Sequence, residues 1–141
     1  MASFNKFNQF VEDLAKGVHN FTSDSTCTVT IALTNTLPTA ANSVLADITQ
    51  ISYTNLPSSR VITGITAEQT SGTVNITATD PITLTATGAV GPFQYVVLYN
   101  DDPTSPADPL IGWYNYGSAV TLANGESFII DFTTNKIATI A

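Results

Sequence analysis

An all-β fold, an antiparallel β-sandwich or barrel of about eight strands behind one N-terminal amphipathic helix, is what three observations on this sequence predict. From residue 26 onward apolar residues alternate with Thr, Asn and Ser, the period-two pattern of strands that have one face in water. Turn-forming residues break those runs about every eight to twelve positions, the spacing of a sandwich or barrel. Charged residues make up 11% of the 141 positions against 43% hydrophobic, where soluble domains carry about 25% charge. Hydroxyls and amides must therefore cover the surface, and Thr, β-branched and foremost among them, suits a pleated strand. A chain of this length can build one core without disulfides or metals.

Taken in order, residues 4–16 form the helix. Phe4, Phe7, Phe10, Val11 and Leu14 recur at three-to-four-residue spacing, with Asn8, Gln9, Glu12 and Asp13 between them. Gly17 stops it, dividing the chain into a helix over 1–17 and one β domain over 18–141. Three Phe on one stripe need cover, from the domain's own core or from an assembly partner. Residues 26–34 alternate well (Cys27, Val29, Ile31, Leu33). Residues 35–50 are irregular, with Pro38 and a short helical turn near 41–46. Strands follow at about 60–67, 72–79 and 81–87, and Asp80-Pro81 makes a corner between the last two. Phe93 to Tyr99 is apolar on both faces and reads as a central strand. Residues 109–116 form an aromatic-rich strand. Asn124-Gly125 separates Ser118–Ala123 from Ser127–Phe132, the pattern of a two-residue type I′ hairpin. Residues 136–140 supply a last edge strand.

The chemistry-bearing residues are sparse. The net charge is -7, and the four cations Lys6, Lys16, Arg60 and Lys136 are scattered, which argues against nucleic acid, since phosphate binding needs clustered Lys and Arg. Cys27 is alone, so neither an internal disulfide nor a Cys-based zinc site can form, and its alternating run points to burial. Residues 1–10 have no cationic start followed by an apolar block, and no run is long enough to cross a membrane, so no export and no membrane partner is expected. The glycosylation patterns Asn20-Phe21-Thr22 and Asn75-Ile76-Thr77 are chance products of a Thr-rich chain. His19 is the sole histidine and stands in no nucleophile context. The eight Gly make no phosphate loop. No catalytic residue, cofactor or metal ligand is therefore assigned, and the protein reads as a structural or binding module rather than an enzyme. The segment Asn100 to Asp108 is rich in oxygen ligands but lacks EF-hand spacing and reads as a solvated turn. In the strand around Trp113, alternation puts Trp113 on one face and Tyr114 and Tyr116 on the other. One set is core, and the other is a platform for a protein partner or for sugars.

Several stretches resemble small virion proteins of tailed double-stranded DNA bacteriophages. They are Lys6 to Phe10, Leu14 to Phe21, Val44 to Ile48, Gly91 to Asp101, and Pro109 to Phe132, which includes Gly112-Trp113-Tyr114-Asn115-Tyr116-Gly117. The resemblance spans nearly the whole chain and rests on patterning, with no catalytic motif in it. It implies a capsid decoration (cement) protein, made in the bacterial cytoplasm, that coats the outside of the mature head and locks neighbouring capsomers. The partner it implies is the major capsid protein, bound by a homo-oligomer, a dimer or trimer. The candidate contacts are Phe4, Phe7, Phe10, Asp101, Asp102, Trp113, Tyr114 and Tyr116. Tail components, head fibres and carbohydrate-binding or adhesion modules fit the same composition and remain alternatives.

Overall fold

The computed structural model describes residues 3–22, 27–79, 81–132 and 136–140. Strand β1 (Asn5–Lys6) precedes helix α1 (Asn8–Ala15), so the helix starts four residues later than its apolar spacing predicts. The reason is a competing partner for the backbone. Asn5 and Lys6 pair antiparallel with Trp113 and Gly112, and the Phe7 N–H donates to the Ile111 carbonyl at 3.3 Å. Gly17 does end the helix, at φ 75°. Its N–H donates to Leu14 O and the Val18 N–H to Asp13 O, the Schellman arrangement that satisfies the last carbonyls. Phe7 and Phe10 lie in one continuous core with the strand residues.

Strands β2 (Val29–Thr34), β6 (Val90–Asn100) and β7 (Leu110–Leu122) join β1 in a four-stranded antiparallel sheet of order β1-β7-β6-β2. Strand β6 is central, as its two-sided apolarity predicts, and Tyr95 to Asn100 are all buried. All six residues of β2 are buried as well, although it is the last strand of the sheet. The irregular stretch between β2 and the next strand closes that edge. Ile31 N–H donates to Arg60 O, Ile62 N–H to Val29 O and Ile51 N–H to Leu33 O. The Arg60 guanidinium sits 3.8 Å over the Tyr53 ring and donates to Ile31 O, holding the strap in place. The predicted helical turn in this stretch is the 3-10 turn Leu45–Asp47, where Asp47 Oδ2 accepts from the N–H groups of Ser43 and Val44.

The remaining strands, β3 (Thr66–Thr70), β4 (Thr73–Thr77), β5 (Ile82–Thr85), β8 (Ser127–Ile130) and β9 (Lys136–Ile140), form antiparallel sheets of order β3-β4-β9 and β5-β8. A tight two-residue hairpin joins β3 and β4, whose turn residues Ser71 and Gly72 both have positive φ, 51° and 81°. The hairpin predicted at Asn124-Gly125 is a correction. A turn is present, closed by Glu126 N–H to Ala123 O at 3.0 Å. Of its two central residues, though, Gly125 alone has positive φ, 85°, so it is not the primed type. Its flanks also part: β7 stays with β6, while β8 pairs with β5. The turn hands the chain from one sheet to another, anchored by Gly125 N–H to Ala86 O and Ala86 N–H to Glu126 O. The architecture is thus mostly β, with several antiparallel sheets and one helix. The strands do not close into a barrel among the described residues.

Candidate functional site

Alternation along β7 decides which aromatics reach the surface. Trp113 is 9% exposed and its ring lies 4.6 Å from that of Phe7. Tyr114 points the other way, its ring between Phe4 at 5.8 Å and Phe132 at 5.6 Å, and its hydroxyl donates to the Ile137 carbonyl of β9. Burial pushes that phenol well above its ordinary range, so Tyr114 is a neutral donor in the interior. Tyr116, two residues further on the same face, is 57% exposed and rests edge-on against Phe128 at 5.3 Å. Of the three aromatic candidates, then, Tyr116 alone offers a surface.

The N-terminal stripe resolves in the same way. Phe7 and Phe10 are fully buried, so neither presents area to a partner; this corrects their place among the expected contacts. Phe4 is half-buried over Gly112, whose missing Cβ leaves room for its ring. Asp101 and Asp102 are exposed at the end of β6, with Asp102 Oδ2 accepting from the Thr28 N–H. Asp108 is held above the usual carboxylate range by partial burial and by the adjacent Asp101. Among the described residues no three His, Cys, Asp or Glu side chains converge as metal ligands. The Asp-rich loop and Tyr116 do not form one site. Leu110 pairs with Tyr99 beside the loop, and Tyr116 lies six residues further along β7, about 20 Å at strand rise.

The sequence reading did not single out Ile129. It stands 59% exposed on the outward side of β8 with Thr83, Thr85 and Ser127, while Phe128 and Ile130 point inward. The signal was in the run Phe128-Ile129-Ile130, since a strand that buries its first and third residues must expose the second. Thr85 and Ser127 hydroxyls bond to each other across the ribbon at 2.8 Å. Tyr116 leans on the ring of inward-pointing Phe128, whereas Ile129 stands on the opposite, outward side of β8. No charged residue occurs within β5 or β8. The two remaining chemically active groups are interior. Cys27 is 4% exposed, and burial raises its thiol to about 11. His19 is 5% exposed and bonds to Asn100. No helix among the described residues is long and apolar enough to cross a membrane. Comparison with family models, with curated proteins and with solved structures found no match.

Proposed function

We propose that this chain is a virion structural protein, a capsid decoration protein that binds the major capsid protein on the outer surface of a phage head as a homo-oligomer. The observation that carries the reading is the outward side of β5–β8, where Ile129, 59% exposed, stands among Thr83, Thr85 and Ser127, together with Tyr116, 57% exposed, on β7. Large apolar side chains fixed on strands lose little freedom when a partner covers them, and an exposed aromatic suits an interface anchor. The sandwich reading supports it. The four-stranded sheet faces β5–β8 through Phe93 against Phe128, 5.0 Å apart and edge-on, and Tyr114 reaches β9 on the same side. The resemblance to phage virion proteins supplies the identity of the lattice.

The test is binding of the purified protein to expanded heads. It should bind at a fixed ratio to the capsid protein, survive raised salt because no residue of β5 or β8 is charged, and delay head rupture on heating, since a ligand of the lattice alone stabilises the lattice. Y116S with I129S should weaken binding at least tenfold while leaving the fold intact, whereas D101N with D102N should not. Purified heads that fail to bind the protein would overturn the proposal. The exposure of Tyr116 also favours a second reading, a carbohydrate-binding module that stacks a sugar on its ring; glycan binding abolished by Y116S would mark that outcome.

A further inference from the structure

We propose that His19 and Asn100 form an acid-operated latch that holds the N-terminal helix on the first sheet, and that acidification opens it and uncovers Phe10 and Phe21. The imidazole lies in an apolar slot, stacked on Phe21 at 5.7 Å and 10° and packed against Phe10 at 5.1 Å. Its polar partner is Asn100, fully buried at the end of β6. The orientation of that amide is set from outside the latch. Asn100 Oδ1 accepts from the Asp102 N–H at 3.2 Å, so Nδ2 is the end that faces His19 Nδ1, 3.3 Å away, and the Val18 carbonyl, 3.5 Å away.

An amide nitrogen has only hydrogens to offer, so Nδ1 must be the bare acceptor and the ring proton must sit on Nε2. Adding a second proton at Nδ1 would set an N–H against an NH2, turning the bond that ties the 18–21 segment to β6 into a repulsion. The groups around the ring do not relieve this. From α1 comes Asp13, 3% exposed, whose Oδ1 takes the Gln9 amide at 3.1 Å while Oδ2 has no hydrogen-bond partner. It attracts the histidinium, but burial outweighs it. From β6 comes the uncharged Asn100, and from the 18–21 segment only Phe21 and backbone. Cys27, whose thiol meets the Asn20 backbone, stays neutral throughout the acid range.

Burial lowers the imidazole from its ordinary 6.5 to about 4, against a smaller opposing pull from Asp13. Above 6.5 neither the closed nor the open form holds the extra proton. As the pH falls through the window from 6.5 to about 4, the open form takes it up and the closed form does not, so closure weakens until both are charged. Across that window the closed-to-open ratio falls by about 300-fold.

The chain contains one histidine and one tryptophan, and Trp113 packs on Phe7, next to α1, so both probes are unambiguous. The full chain is titrated from about pH 7 to about pH 3, following the His19 ring resonance and Trp113 emission in the wild type, H19Q and D13N. The ring should titrate below its ordinary 6.5, inside the window down to about 4, with a Trp113 red shift in the same window. H19Q should lose that part of the emission change, and D13N should move both midpoints to lower pH because the attracting charge is gone. A ring that titrates at its ordinary value with Trp113 unmoved would overturn the latch, as would an H19Q transition identical to the wild type. Should H19Q not fold, D13N decides: unchanged midpoints in both probes refute the proposal.

Discussion

Gly112→Ala tests whether the segment before α1 is a working part of the sheet. A Cβ at Gly112 would stand 2.2 Å from Phe4 Cε2, 2.5 Å from its Cζ and 2.7 Å from the Asn5 carbonyl oxygen. The ring can swing aside. The carbonyl cannot, because Asn5 and Lys6 are held by their pairing with Trp113 and Gly112. Strand β1 must therefore shift off β7, loosening the Phe4–Tyr114 ring pair as it goes. Forcing a methyl into such a site costs about 1–3 kcal/mol, and a lost ring pair adds roughly 0.5–1.5 kcal/mol. Urea unfolding followed by Trp113 emission and by far-ultraviolet circular dichroism should show a loss of about 1.5–4.5 kcal/mol with an unchanged slope. The double variant F4A/G112A removes the ring clash and keeps the backbone one, so it should recover part of the coupling and not all of it. A G112A protein within about 0.5 kcal/mol of wild type would show that β1 yields freely and refute the argument; full recovery in the double variant would refute its backbone half.

Two further substitutions separate packing from backbone strain. Phe10→Ala empties a fully buried position against His19 and Phe21 and should cost about 3–5 kcal/mol by chemical denaturation, while a variant that kept its stability and lost only self-association would return the stripe to an assembly role. At Gly125 a Cβ would meet nothing within 4 Å, yet φ is 85°. Gly125→Val should therefore cost about 1–2 kcal/mol through the backbone alone, and Gly125→Asn well under half of that, because Asn tolerates positive φ. Equal losses for the two would show that the turn is not held in this conformation.

What the sequence made legible is what local chemistry decides. Tyr95, Val97 and Tyr99 against Val96 and Leu98 announce a strand covered on both faces, and β6 is that strand. Gly17 stops α1 because only a residue free of a Cβ takes positive φ cheaply, and the stop needs no distant partner. Partner choice is where local chemistry falls silent. Phe4, Asn5 and Lys6 have good helical spacing, but the edge of β7 offers Asn5 and Lys6 backbone hydrogen bonds that an isolated first turn lacks. Asn124-Gly125 is a strong turn signal, and it makes a turn. Nothing in those two residues says whether the strands on either side share a sheet; the burial of Phe128 against Phe93 draws β8 to a different one. Ser71-Gly72 carries a weaker signal and makes the primed hairpin, since five residue pairs between β3 and β4 hold Ser71 at a φ it would not choose alone.

The same division explains the candidate surface. Period two places Tyr114 and Tyr116 on one face of β7, and the structure agrees. It cannot distinguish them, because one is capped by Phe4, Phe132 and the Ile137 carbonyl, and the other lies beyond that cover. Where a covering layer ends is fixed by residues far away in the chain, here the N-terminal segment and β9. The latch shows this more sharply. His19 on its own reads as a packing histidine, and it is one. Its tautomer is set by Asn100, and the orientation of Asn100 by a single backbone N–H at Asp102. A chain of two hydrogen bonds, each between residues unremarkable in isolation, thus settles which ring nitrogen carries the proton.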